Sequence, residues 1–125
     1  MARILIVDDS PSQLMSIRRV VEKLGHDALT AEDGAAGVEA AKREIPDLVL
    51  MDVVMPNLNG FQATRSITRE PTTRHIPVIL VTTKDQDTDR VWGMRQGAKA
   101  YITKPFSEAE LSALIAQYLG GPSAA

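Results

Sequence analysis

Residues 4–13 read Ile4-Leu5-Ile6-Val7-Asp8-Asp9-Ser10-Pro11-Ser12-Gln13. Four aliphatic residues in unbroken succession describe a strand covered on both faces, because a strand with one wet face alternates apolar with polar residues. The run stops at two aspartates, and a helix start follows at once. Ser10 suits the N-cap, Pro11 the first helical position, and Gln13 stands where a capping box places its amide. A buried strand passing directly into a capped helix is the opening of a βα unit.

The rest of the chain repeats that unit four times. Helix one carries Leu14, Ile17, Val21 and Leu24 on one stripe and stops at Gly25. A weaker strand follows near Asp27–Ala31, then a helix over Gly34–Glu44 that Pro46 ends. Strand three is Leu48-Val49-Leu50-Met51, and a loop with Pro56, Asn57 and Gly60 leads to a helix over Gly60–Arg69. Strand four, Val78-Ile79-Leu80-Val81, runs into Thr82 and Thr83, and the spacing predicts helix four over Gln86–Gln96. Strand five is Ala100–Thr103, and a second capping box, Ser107 with Glu110, opens the last helix. That helix shows Leu111, Leu114, Ile115 and Tyr118 on one face and is expected to end at Gly120-Gly121-Pro122. Strict alternation predicts an α/β fold, a doubly wound five-stranded parallel sheet with right-handed crossovers and helices on both faces. Strand order stays open at this level.

Length and composition narrow the class. The 125 residues fit a single domain, taken as 1–120 with a flexible tail over 121–125. Cysteine is absent, which removes disulfides and thiolate metal sites and suits a cytoplasmic protein. No apolar run approaches the roughly 20 residues of a membrane span, and Met1-Ala2-Arg3 enters a strand without a signal-peptide pattern. A formal charge of −2 with interspersed signs carries no nucleic-acid footprint.

The polar residues at the strand ends carry the chemistry. Strand one ends on Asp8 and Asp9, strand three on Asp52, strand four on Thr82 and strand five on Lys104. Ligands of open α/β sheets bind outside the carboxyl ends of the strands, so these side chains are expected to line one crevice. Any one of them has a local alternative: an aspartate can cap helix one, and Asp52 can close an Asx turn. The set is harder to explain that way. Two carboxylates about 4 Å apart repel by roughly 4 kcal/mol at an effective dielectric near 20. Gathering three therefore calls for a proton, a cation or both. Lys104 supplies one charge, and an all-oxygen donor set selects a hard divalent ion, Mg²⁺ fitting best. A carboxylate so placed can attack phosphorus. No GxxxxGK[ST] loop is present, and the acidic turn after strand one is hostile to nucleotide phosphates, so the phosphoryl group is expected from another protein or a small donor. His26 and His75 stand apart from this set and read as solvated surface residues.

Four motifs in order, Ile-Val-Asp8-Asp9-Ser, Leu-Met-Asp52-Val-Val-Met-Pro56-Asn-Leu-Asn-Gly60, Val-Thr82-Thr and Lys104-Pro105-Phe, make the chain resemble the response-regulator receiver domains of two-component signalling over essentially its whole length. The resemblance implies strand order 2-1-3-4-5, as in flavodoxin and the chemotaxis receiver. It makes Asp52 the phosphoacceptor, Asp9 a direct Mg²⁺ ligand, Asp8 a ligand mainly through water, and the Val54 carbonyl a further ligand. Lys104 pairs with the phosphoryl group, and Lys104–Pro105 is expected to be cis. Thr82 is the switch hydroxyl and Tyr101 the switch aromatic, though bland readings as a strand-end threonine and a half-buried tyrosine remain beside these. Val54 and Lys84 occupy positions that tune phosphoryl lifetime. The stretch Thr82–Gly97 with Asn59–Thr64 is similar to single-domain regulators of the twitching-motility chemosensory systems that govern type IV pili. A histidine kinase is the implied donor and the chain an implied monomer, without nucleic-acid or membrane partners. Trp92, beside an expected inward line of Val91 and Met94, reads as a partner contact together with Tyr101, or else as a packing residue.

Three other functions fit the sequence less well. An aspartyl-phosphate phosphatase resembling the haloacid dehalogenases needs Asp-x-Asp after strand one, where this chain has Asp8-Asp9-Ser10. A flavin-binding domain needs a Ser/Thr-rich phosphate loop there. A receiver that binds partners regardless of phosphorylation has no use for the complete acidic set.

Overall fold

The computed structural model describes residues 1–119. Five strands and five helices alternate: β1 (Arg3–Val7), α1 (Pro11–Lys23), β2 (Asp27–Ala31), α2 (Gly34–Glu44), β3 (Leu48–Met51), α3 (Gly60–Arg69), β4 (Val78–Thr82), α4 (Asp87–Arg95), β5 (Ala100–Thr103) and α5 (Glu108–Tyr118). The sheet is parallel throughout, in the order β2-β1-β3-β4-β5. The expected order therefore holds, and every strand points its carboxyl end the same way. The chain reverses its winding between β1 and β3, which opens a crevice there. The expected end of the last helix at Gly120-Gly121-Pro122, and the tail over 121–125, lie outside the described residues. Among the described residues no helix is long and apolar enough to cross a membrane.

The unbroken aliphatic strands are explained by a core on each face. Ile4, Ile6, Leu48, Leu50, Ile79 and Val81 point to the side covered by α1 and α5. Their neighbours Leu5, Val7, Val49, Met51, Val78 and Leu80 point to the side covered by α2 and α3. Period-two alternation thus divides one apolar run between two cores. Each fully buried aliphatic side chain contributes roughly 1.5–3 kcal/mol.

Some local readings are corrected. Ser10 caps α1 by accepting from Gln13 N, but the Gln13 amide does not return to close a capping box. The Ser10 N–H it would take donates instead to Asp8 Oδ1 at 2.9 Å, so the strand-end aspartate displaces the glutamine. Leu24 is the C-cap of α1 and is exposed, Val20 taking its place in the buried stripe. His26 is half-buried rather than solvated, its Nδ1 accepting from Ala2 N at 3.0 Å, whereas His75 is exposed. On α4 the expected inward line of Val91 and Met94 faces outward. Gly93 is the inward residue, because a Cβ there would meet Leu80 Cδ1 at 2.5 Å and Tyr101 Cδ2 at 3.2 Å.

One glycine positions the site directly. Gly60 opens α3 against the end of β3, its N–H donating to Val53 O at 3.0 Å. A Cβ at that position would overlap the Asp52 carbonyl and the Val53 Cα, backbone atoms that cannot step aside. Gly25 differs: it has φ +88° with nothing near a would-be Cβ, so only conformation asks for glycine there. Gly60→Ala is expected to destabilise the fold by about 3 kcal/mol or more, and Gly25→Ala by only about 1 kcal/mol. Urea denaturation of the two variants measures the contrast, and equal losses would contradict it.

Candidate functional site

The backbone ladder continues one residue past the strands and so fixes the chemistry-bearing side chains. Asp8 N donates to Ala31 O at 3.1 Å, Asp52 N to Val7 O at 2.9 Å, and Lys104 N to Thr82 O at 2.8 Å. Register therefore brings residues from β1, β3 and β5 to one edge. One carboxylate oxygen each from Asp8, Asp9 and Asp52 lies within 4.8 Å of the others. Asp8 and Asp52 are buried and Asp9 is exposed, so the cluster has closed walls and one open side.

Lys104 reaches over this cluster from the end of β5. Its Nζ donates to Asp8 Oδ2 at 2.7 Å and stands 3.9 Å from Asp52 Oδ2. The contact with Asp8 is between side chains only 8% and 1% exposed, so it is a desolvated pair, unlike the surface pairs elsewhere. Asp8 spends its other oxygen on Ser10 N, and Asp52 Oδ1 accepts from Val53 N at 2.8 Å. Each buried carboxylate is thus oriented by a backbone N–H, leaving Asp52 Oδ2 the less engaged oxygen. The Lys104–Pro105 peptide is cis.

Charge is not balanced in this pocket. Burial pushes the Asp52 carboxyl above its usual range, Lys104 pulls it down, and Asp8 pushes it up again, with Thr82 and the Val53 N–H lowering it further. Desolvation and a like charge outweigh one ammonium, as the count of three carboxylates to one lysine implies. The donor set fits a hard cation: all-oxygen, with Asp9 on the open side where waters have access. Val54, two residues after Asp52, is exposed between the buried Val53 and Met55.

Thr82 is fully buried at the end of β4, its Oγ1 accepting from Lys84 N at 3.4 Å. Tyr101 is half-buried on β5, with its hydroxyl donating to Lys84 O at 2.8 Å. Burial and the neighbouring Asp89 push the Tyr101 phenol up to about 12, so it stays a neutral donor. Trp92 is not part of the pocket. It stands 48% exposed on α4, flanked by the exposed Val91 and Met94. Sequence reasoning did not single out Arg90 or Gly93, which border Tyr101. A helical arginine and a helical glycine carry no motif, and only the packing of α4 on β5 brings them to Tyr101.

Comparison with known proteins agrees with this geometry. The model of the response regulator receiver domain matches residues 4–116. Protein PilH of Pseudomonas aeruginosa is 58% identical over 121 residues, covering 97% of this chain and 100% of that protein. The receiver domain of a Pseudomonas aeruginosa sensor histidine kinase, solved with a magnesium ion coordinated in its active-site cleft, is 32% identical with TM-score 0.89, covering 96% of this chain and 98% of that one. The chemotaxis protein CheY4 of Vibrio cholerae is 26% identical with TM-score 0.88, covering 94% and 98%. The five-stranded order, the carboxyl-edge acidic cluster and these matches agree: the chain belongs to the response regulator receiver domains.

Proposed function

We propose that residues 1–120 act as one receiver unit that accepts a phosphoryl group on Asp52 from a histidine kinase in the cytoplasm. The observation that carries the reading is the three-carboxylate cluster under Lys104 at the carboxyl edge of the sheet. In the transfer, an Asp52 carboxylate oxygen attacks the donor's phosphorus, the donor's bond to phosphorus breaks, and the donor leaves with the electron pair. An acyl phosphate results on Asp52, and no turnover of other substrates is involved. Lys104 neutralises charge on the transferring oxygens, and its short bond to Asp8 holds it over the pocket. Asp9, Asp52 and the Val54 carbonyl would hold Mg²⁺ directly and Asp8 through water, as the oxygen donor set permits. Bound there, the ion supplies charge neutralisation for the phosphoryl oxygens. A groove of about 410 Å³ beside Lys104, lined by Gln13, Ser16, Thr83, Pro105 and Phe106, leaves room for a donor to approach.

The phosphoryl group then draws on Thr82, and the change passes through Lys84 to Tyr101 and the α4 surface that shows Trp92. Likeness to PilH over 97% of this chain and the whole of that protein supports a place in chemosensory control of pilus-based motility, through a switched protein contact or as a phosphate sink.

Incubation with acetyl phosphate and Mg²⁺ is expected to add one phosphoryl group to the intact mass, and Asp52→Asn to abolish it. Labelling of the variant at the parent's level would contradict the assignment. A second outcome concerns the protein without metal. The raised Asp52 carboxyl holds its proton to higher pH in the folded chain than in the unfolded one, so stability falls as pH rises above the unfolded value of roughly 3.9. Asp52→Asn removes that penalty. It should raise Tm in EDTA at pH 7, by about 4 °C for each kcal/mol relieved, with the advantage vanishing below about pH 4. A thermal scan that shows no gain at pH 7 would count against a frustrated pocket.

A further inference from the structure

Tyr101 is gripped from three directions, and one of the grips is a charge on α4. The Arg90 guanidinium lies over the Tyr101 ring at 5.1 Å from its centroid. Its Nη1 also donates to Tyr101 O at 3.4 Å, so the same side chain holds both the ring and the backbone of β5. On another side stands Gly93, so close that a Cβ there would touch Tyr101 Cδ2 at 3.2 Å. The hydroxyl is tied to Lys84 O, in the loop that begins at Thr82. The Lys84 ammonium in turn stands 3.7 Å from Asp89 Oδ1, while Asp89 Oδ2 accepts from Gln86 N in the capping box of α4. The loop after Thr82, the first turns of α4 and the ring on β5 are therefore one connected assembly.

We propose that Arg90 is a positioning residue, a clamp that sets the orientation of Tyr101 and couples the Asp52 pocket to the outward face of α4. The inference rests on the proposed function for its meaning, and on the packing alone for its geometry. Without Arg90 the ring keeps its hydroxyl bond to a loop carbonyl, its packing against the core and its contact with Gly93, but loses the one charged group of α4 that bears on its face. The face that Arg90 controls is the apolar one, because Val91, Trp92 and Met94 are exposed in the turn that contains Gly93. A tilt of the ring against Gly93 has no side chain to absorb it and passes straight to the α4 backbone. Arg90 is the cation that makes the position of the ring depend on α4, since a cation over an aromatic face is attracted to it and loses that attraction when the two separate.

The test is NMR on the full chain. In the parent, the Tyr101 ring protons should show an NOE to the Gly93 α-protons, and the Trp92 indole resonance should move on addition of acetyl phosphate with Mg²⁺. Arg90→Ala is expected to weaken the NOE and to shrink the Trp92 response by about two- to fivefold, the range a cation over a ring commands. Asp52 labelling by intact mass should stay within about twofold of the parent, because Arg90 lies outside the pocket. Arg90→Lys should recover part of the NOE by returning a cation to the ring, and Arg90→Gln, which keeps the start of the stem and a polar end without charge, should not. An NOE and a Trp92 response that persist at parent levels in both Arg90→Ala and Arg90→Gln would overturn the clamp. If the parent itself takes no phosphoryl group, the Asp52 reading fails, while the NOE comparison still decides whether Arg90 orients the ring.

Discussion

Repulsion between carboxylates held by a rigid sheet is the constraint on which the rest depends. Asp8 and Asp52 cannot move apart, because each backbone N–H is tied to a neighbouring strand and each side chain is oriented by a further N–H. Lys104 offsets only part of the charge, and burial keeps water from screening the remainder. The fold thus maintains a pocket that is stable in position and unfavourable in charge. A site of that kind has a standing preference for cations, and its electrostatics change sharply when one of its carboxylates is modified. The stability needed to hold it comes from the two aliphatic cores above and below the sheet.

Much of the fold was legible because burial on both faces leaves a plain mark. Ile4–Val7, Leu48–Met51 and Val78–Val81 are continuous aliphatic runs, and a parallel sheet covered by helices is where such runs occur. Helix ends were legible where a cap is local, as at Ser107 with Glu110, which form the expected capping box. They were misread where a second local group competes for the same N–H. The Gln13 box fails because Asp8, two residues before Ser10, takes the N–H that it needs. Periodicity failed on α4 for a different reason. Val91 and Met94 mark an apolar line, yet the helix turns them outward so that Gly93 can sit against Leu80 and Tyr101. Close backbone approach outweighed burial of two side chains there, and a pattern of hydrophobicity does not record close approach.

The pocket residues were legible as strand ends, since a parallel sheet aligns its carboxyl termini and needs no further information to bring them together. What lay beyond the pattern was the division of labour among them. That Lys104 lies closer to Asp8 than to Asp52, and that Asp9 alone is open to solvent, follow from side-chain direction rather than from order in the chain. The surroundings of Tyr101 were hidden for a stronger reason. Arg90 reaches it from another element, and neither residue type signals the other in sequence. The edge of the sheet is thus marked by motifs, whereas the packing between α4 and β5 is unmarked in sequence.

Residues remote in sequence form one cation-seeking pocket if a paramagnetic ion settles among them. Mn²⁺, a divalent stand-in for Mg²⁺ with similar oxygen preference, can be titrated into the ¹⁵N-labelled chain. Selective broadening is expected at amides around Asp8–Ser10 and Asp52–Val54, competed away by Mg²⁺ and strongly reduced in Asp9→Ala. Broadening centred instead on the exposed acidic residues Asp85 and Asp87, or an unaltered pattern in Asp9→Ala, would contradict such a pocket.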